Sequence, residues 1–170
     1  VTPTLDMQAA QIVPAPELAR SIYQRQLDVV TRAFLAGRLE EVLNNMAFPN
    51  VMETAEGTTV IRDATEMMSC LHAQAKSMQR LRVTEYHRIC TEAAFTSDAQ
   101  TEIVGRHVTH FLSGGQRAVP PYEAVMTLRL VDDGWRSVGL RSALRNRDLT
   151  VIGDGLRRSD GKDRPCQSST

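Results

Sequence analysis

The side chains best suited to acid–base chemistry are histidines, and three of the four (His87, His107 and His110) stand in β-tolerant stretches. Neutral imidazole titrates near working pH, so one such ring held in an apolar interior could serve as a general base. The same ring could equally be exposed or hydrogen-bonded internally without doing chemistry, and residue type alone leaves both open. Spacing decides more. His107 and His110 are an odd number of residues apart, so a regular strand turns them to opposite faces, and His87 and Cys90 fail the same way. Cys70 and His72 diverge on a helical stretch. No metal site and no cofactor is expected. Ile103, His107, Thr109 and Phe111 share one strand face, while Glu102, Arg106 and His110 share the other. The more apolar set should face the core, which selects His107, although a slip of one residue would reverse the choice. No G-x-S-x-G, P-loop or Cys–His nucleophile pattern is present. Gly153-Asp154-Gly155 lacks the third glycine of a dinucleotide fingerprint.

The elements that must position these groups come from 170 residues, enough for one domain. Twenty Lys and Arg balance twenty Asp and Glu, so there is no concentrated basic surface for nucleic acid or anionic membrane, and neither partner is expected. No apolar run approaches the ~18 residues of a membrane span. Cys70, Cys90 and Cys166 form no CxxC pair, and free thiols with no leader pattern at the start lead to the expectation of a cytoplasmic protein.

Residues 1–15, with Pro3 and Pro14, read as an N-terminal arm. Leu18, Ile22, Val29, Val30, Ala33 and Phe34 recur at helical steps and predict a helix over 17–36, stopped by Gly37. A short helix over 38–45 follows, then strands over 47–53 and 58–61. Asp63 with Glu66 has the capping-box spacing and opens a helix carrying Met67, Met68, Leu71, Ala75 and Met78. Residues 81–95, 100–112, 122–131 and 135–144 are four β-tolerant stretches separated by turn residues, the pattern of an antiparallel meander. Helices first and strands later indicate the α+β class. The domain should span 16–148. Residues 149–170, polar and Gly-containing, read as a flexible tail.

This order carries three local marks: Ala36-Gly37-Arg38-Leu39-Glu40 between the first two helices, Asn50-Val51-Met52-Glu53 in the strand that follows, and Asp132-Asp133-Gly134-Trp135-Arg136 at the last hairpin. Together they resemble the nuclear transport factor 2-like superfamily, specifically its SnoaL-like polyketide-cyclase branch, over about residues 17–146. The resemblance implies a cone-shaped curved antiparallel sheet wrapped over three helices, a cystatin-like roll with an apolar pocket, and a homodimer formed through the sheet. It implies a small hydrophobic molecule as ligand, bound with or without turnover of the cyclase, isomerase or dehydratase type. A small subunit of a ring-hydroxylating dioxygenase is a further alternative. The pocket is expected to be lined by Val30, Met52, Thr54, Met67, Leu71, Tyr122, Met126, Leu128, Trp135 and Gly139. The methionines suit either core filling or an adaptable pocket. His107, Arg141 and Tyr23 are the candidate catalytic groups.

Each candidate has a plainer alternative. Arg141 faces the cone if Trp135, Ser137 and Gly139 do, and solvent if Val138, Leu140 and Leu144 pack inward instead. Tyr23 could present its hydroxyl to the pocket mouth or be a core residue with a wet tip. Glu53 adjoins Met52 and Thr54 but alternation turns it away. Ketosteroid isomerases of this superfamily use a tyrosine, a protonated aspartate and a carboxylate base. Counting from Gly37, and matching the strand that ends Leu128-Arg129-Leu130, those positions fall on Val30, Met126 and Thr54. None of these can take up the role, so that chemistry is excluded by this correspondence.

Overall fold

The computed structural model describes residues 14–153 and Leu156. Helix α1 (Ala15–Leu35) begins at Ala15, within the expected arm, and buries Ala19, Tyr23, Leu27, Val30, Ala33 and Phe34 along one side. It ends as Gly37 indicated: the glycine has φ +70°, its N–H bonds Phe34 O, and Arg38 N–H reaches back to Ala33 O, which satisfies two otherwise orphaned carbonyls. A short helix α2 (Leu39–Asn44) leads into the hairpin of β1 (Met46–Thr54) and β2 (Gly57–Ile61). Helix α3 (Ala64–Arg80) starts with the Asp63 carboxylate accepting from Glu66 N–H. The reciprocal half of a capping box is replaced, because the Glu66 carboxylate accepts from the backbone N–H and the guanidinium of Arg62.

Five further strands follow among the described residues: β3 (Glu85–Phe95), β4 (Glu102–Ser113), β5 (Gln116–Arg117), β6 (Tyr122–Val131) and β7 (Gly134–Ser142). β3 begins four residues later than expected, because α3 runs on to Arg80 and Arg82 turns the chain at φ 52°. The order is β2-β1-β7-β6-β4-β3, with β5 added to β4. β3, β4, β6 and β7 form the antiparallel meander, and β1 joins β7 in parallel, so the curled sheet is mixed. Asn50, buried on β1, donates to Ser137 O at that junction.

α1 lies along the edge strand β3 and satisfies its outer backbone. Arg20 donates to Cys90 O, while the Gln24 side chain donates to Arg88 O and accepts from Cys90 N–H. A sheet edge that would otherwise invite pairing is thereby covered.

The interior falls into two parts. One is packed around Tyr23, Leu27, Ile103, Met126 and Leu128; the other, larger, surrounds Phe34, Val42, Ile61, Leu71, Tyr86 and Phe111. The second part includes Leu149, Val151 and Ile152, which corrects the expectation that a flexible tail begins at 149. Three apolar side chains (Leu149, Val151 and Ile152), with Leu144 just before them, give this polar-looking stretch enough buried surface to dock. Ala55 N–H bonds Leu144 O, and Thr150 N–H bonds the Ser77 hydroxyl on α3, so the segment straps the structure across β1 and α3. Apart from Gly153 and Leu156, the remainder of the expected tail, and residues 1–13 of the arm, lie outside the described residues.

Candidate functional site

Between the sheet and the helices lies a cavity of about 70 Å³. That is several times the ~10–15 Å³ one water needs, and well below the ~300 Å³ of a pocket for drug-sized ligands. Val30 and Phe34 from α1, Met67 and Leu71 from α3, Met52 and Thr54 from β1, and Tyr122 and Met126 from β6 line it, with Val151 of the strap. Seven of the ten expected lining residues are therefore brought together. The other three are not. Leu128 is fully buried in the packed part beside Tyr23. Trp135 packs against Phe95, ring centroids 6.3 Å apart. Gly139 lies against the outward-facing Val51, whose carbonyl oxygen a Cβ at that position would meet at 3.3 Å.

One local feature explains Gly139 and also overturns Arg141. The pairing of β7 with β6 jumps from Leu128↔Ser137 to Thr127↔Gly139, leaving Val138 as an extra residue. A bulge of this kind reverses which side chains face inward. Ser137 faces the cavity before it; Leu140, Ser142 and Leu144 face it afterwards. Arg141 is exposed on the other face, in a shallow groove with Glu92, Arg106 and Val125. It is not a group of this site.

His107 is. On β4 the odd-numbered residues face inward, and His107 is 1% exposed with its ring on the cavity wall. Tyr23 does not reach the cavity mouth; it is fully buried behind His107. Its hydroxyl lies 2.8 Å from Gly105 O and 2.7 Å from His107 Nδ1. The carbonyl can only accept, and a phenol has one proton. Tyr23 therefore donates to Gly105 O, and His107 Nδ1–H donates to the Tyr23 oxygen. This assigns the tautomer and leaves Nε2 with its lone pair. The Tyr23 ring can come this close only because residue 105 is glycine, since a Cβ there would sit 2.4 Å from Tyr23 Cε2.

Burial, reinforced by the Arg88 charge, pushes His107 down from 6.5 to about 3. The ring is neutral at physiological pH. Burial likewise raises the phenols of Tyr23 and Tyr122 well above their usual range and keeps both protonated. The positions matched to the ketosteroid isomerase groups, Val30, Thr54 and Met126, all line this cavity.

Arg88 was not among the residues singled out from the sequence. It lies on the inner face of β3 between Tyr86 and Cys90, both buried, and lines the cavity. Its guanidinium sits over the Tyr86 ring, 5.4 Å from the centroid, and donates from Nε to Thr31 Oγ1 and from Nη2 to Leu27 O. The readable signal was a charge within the apolar alternation Tyr86-Arg88-Cys90. Glu53 is exposed at the rim. Among the described residues no three His, Cys, Asp or Glu side chains are placed to hold a metal, and Cys70 and Cys90 are buried free thiols. No helix there is long and apolar enough to cross a membrane.

No protein-family model matches the sequence, and neither does any curated protein. Solved structures are similar in fold. A nuclear transport factor 2-like protein of unknown function from Shewanella oneidensis superposes with a TM-score of 0.58 at 11% identity, covering 73% of this chain and 98% of the other. An aromatic ring hydroxylase candidate from Novosphingobium aromaticivorans gives 0.53 at 12% identity over 76% and 90%. A ketosteroid isomerase-like protein from Erwinia carotovora gives 0.50 at 16% over 73% and 94%. With its curled sheet, its three helices and a cavity between them, the chain has the nuclear transport factor 2-like fold.

Proposed function

We propose that the chain binds a small hydrophobic molecule in this cavity and orients it through His107. The supporting observation is a space lined largely by methionine and aliphatic side chains, with a neutral imidazole fixed in one tautomer on its wall. Met46, Met52, Met67 and Met126 can re-pack around a guest larger than the present space. Turnover with His107 as general base is the weaker reading. A group with a pKa of about 3 is a poor proton acceptor at neutral pH, and efficient bases titrate near the working pH.

The test is methyl NMR of methionine-labelled protein titrated with isobutanol and benzene. Shifts concentrated at Met52, Met67 and Met126 are expected. Shifts only at surface residues, or none, would remove the cavity as a binding site. A homodimer through the sheet is part of the same reading, supported by exposed Val51, Ile89 and Val104 on strands of the outer face. Light scattering should give a dimer at micromolar concentration, and a strict monomer would overturn that part.

A further inference from the structure

We propose that the guest in this cavity is a small monocarboxylate, its apolar body among the methionines and its carboxylate on the Arg88 guanidinium. The proposal rests on the pocket reading above and adds the charge of the ligand.

Several surface arginines have acidic partners: Arg62 pairs with Glu66, Arg106 with Glu92, and Arg129 with Glu102; others, such as Arg141, have none but stand exposed to water. Arg88, on the inner face, has none within 4 Å among the described residues. Its two bonds go to neutral oxygens, those of Thr31 and Leu27 on α1. A guanidinium carries five N–H donors, so three remain uncommitted. Those two bonds and the Tyr86 ring hold the group in one place before any ligand arrives, which limits the ordering cost of binding.

The nearby carboxylates do not answer this charge. Glu53 is exposed at the rim of the cavity. Asp28 lies in the groove on the far side of Arg88 and accepts from Gln24. The positive charge reaches inward, since it lowers the proton affinity of His107 and bears on Tyr122. A partly buried cation without a counter-charge is costly, and an incoming anion relieves that cost. One guanidinium on a mostly apolar space of about 70 Å³, whose other polar lining groups are neutral apart from Glu53 at the rim, fits a single planar anionic head, which is what a carboxylate offers to a guanidinium fork.

The experiment compares isosteric pairs, isobutyrate with isobutyramide and benzoate with benzamide, at pH 7.5 and constant ionic strength, read by the cavity methionine methyls. Wild type should bind each carboxylate at least ~10-fold more tightly than its amide, about 1.4 kcal/mol. Arg88→Gln should level each pair, and Arg88→Lys should retain part of the preference. If amides and carboxylates bind wild type equally, or the preference survives in Arg88→Gln, the charge assignment is wrong and the pocket reading stands. If none of the four molecules shifts the cavity methyls, both fall. Should Arg88→Gln fail to fold, the wild-type comparison decides alone.

Discussion

Acidification from pH 7 to pH 5 should weaken this fold through one side chain, His107. Its folded-state pKa is about 3 against an ordinary 6.5, because the ring is buried and sits in the field of Arg88. A depressed pKa on a base means that the unfolded chain takes up the proton first. The stability linked to this ring is therefore complete above pH 6.5, declines as pH falls through 6.5, and levels off only below about 3. At pH 5 the 1.5-unit gap below the unfolded value corresponds to about 2 kcal/mol. That is a large share of the ~5–15 kcal/mol typical of a whole domain. Urea unfolding followed by Trp135 fluorescence at pH 7 and pH 5 measures the loss, and His107→Asn isolates it. The asparagine amide has no proton to gain in this range, and its N–H₂ can take the place of Nδ1–H as donor to the Tyr23 oxygen. Wild type should lose about 2 kcal/mol more than the variant over this interval. Equal losses in the two proteins would show that His107 is not held neutral by the interior.

Three further changes test the supports of the same ring. Gly105→Ala places a methyl within 2.4 Å of Tyr23 Cε2 and should cost ~1–3 kcal/mol by urea unfolding, with Tyr23→Leu in the same chain restoring part; a neutral effect would mean that Tyr23 is not packed on this strand. Tyr23→Phe leaves Gly105 O and His107 Nδ1–H without their shared partner and should cost about 1–3 kcal/mol; an unchanged denaturation midpoint would contradict the assigned hydrogen bonds. Leu149→Ala, at a fully buried residue of the strap, should cost ~2–5 kcal/mol, whereas a flexible segment would register no change.

The elements were legible where local chemistry sets them. Gly37 ended a helix, Asp63 began one, and turn residues divided the meander, each acting over a few positions. Parity along β4 was legible too, because Ile103, Gly105, His107, Thr109 and Phe111 alternate without interruption. What failed needed information from outside the segment. The bulge at Val138 depends on how β7 meets both β6 and β1, and it moved Gly139 and Arg141 to the outer face. The strap looked polar because its apolar residues are spaced among Arg and Asp, and only the surface offered by α3 gives them somewhere to go. Arg88 was hidden for a related reason. A charge on an inner face is unfavourable by composition, and it is tolerated here because α1 supplies two acceptors.

The burial of His107 and the charge of Arg88 beside it are what weigh against proton transfer in the proposed reading. A base that enolises a carbonyl must be free to accept a proton at neutral pH, and the groups facing it must stabilise the negative charge that develops. Here the imidazole is stripped of water, set in one tautomer by Tyr23, and kept neutral by a cation sharing its cavity. Making it more basic would require removing Arg88 or admitting water, and either change would undo the site as built. Of the two halves such chemistry needs, a group able to stabilise negative charge is present in Arg88, while the base is suppressed. With the proton-accepting group suppressed and the guanidinium held in place without a counter-charge, the proposed guest is one that arrives already charged and not one that must be ionised inside the cavity.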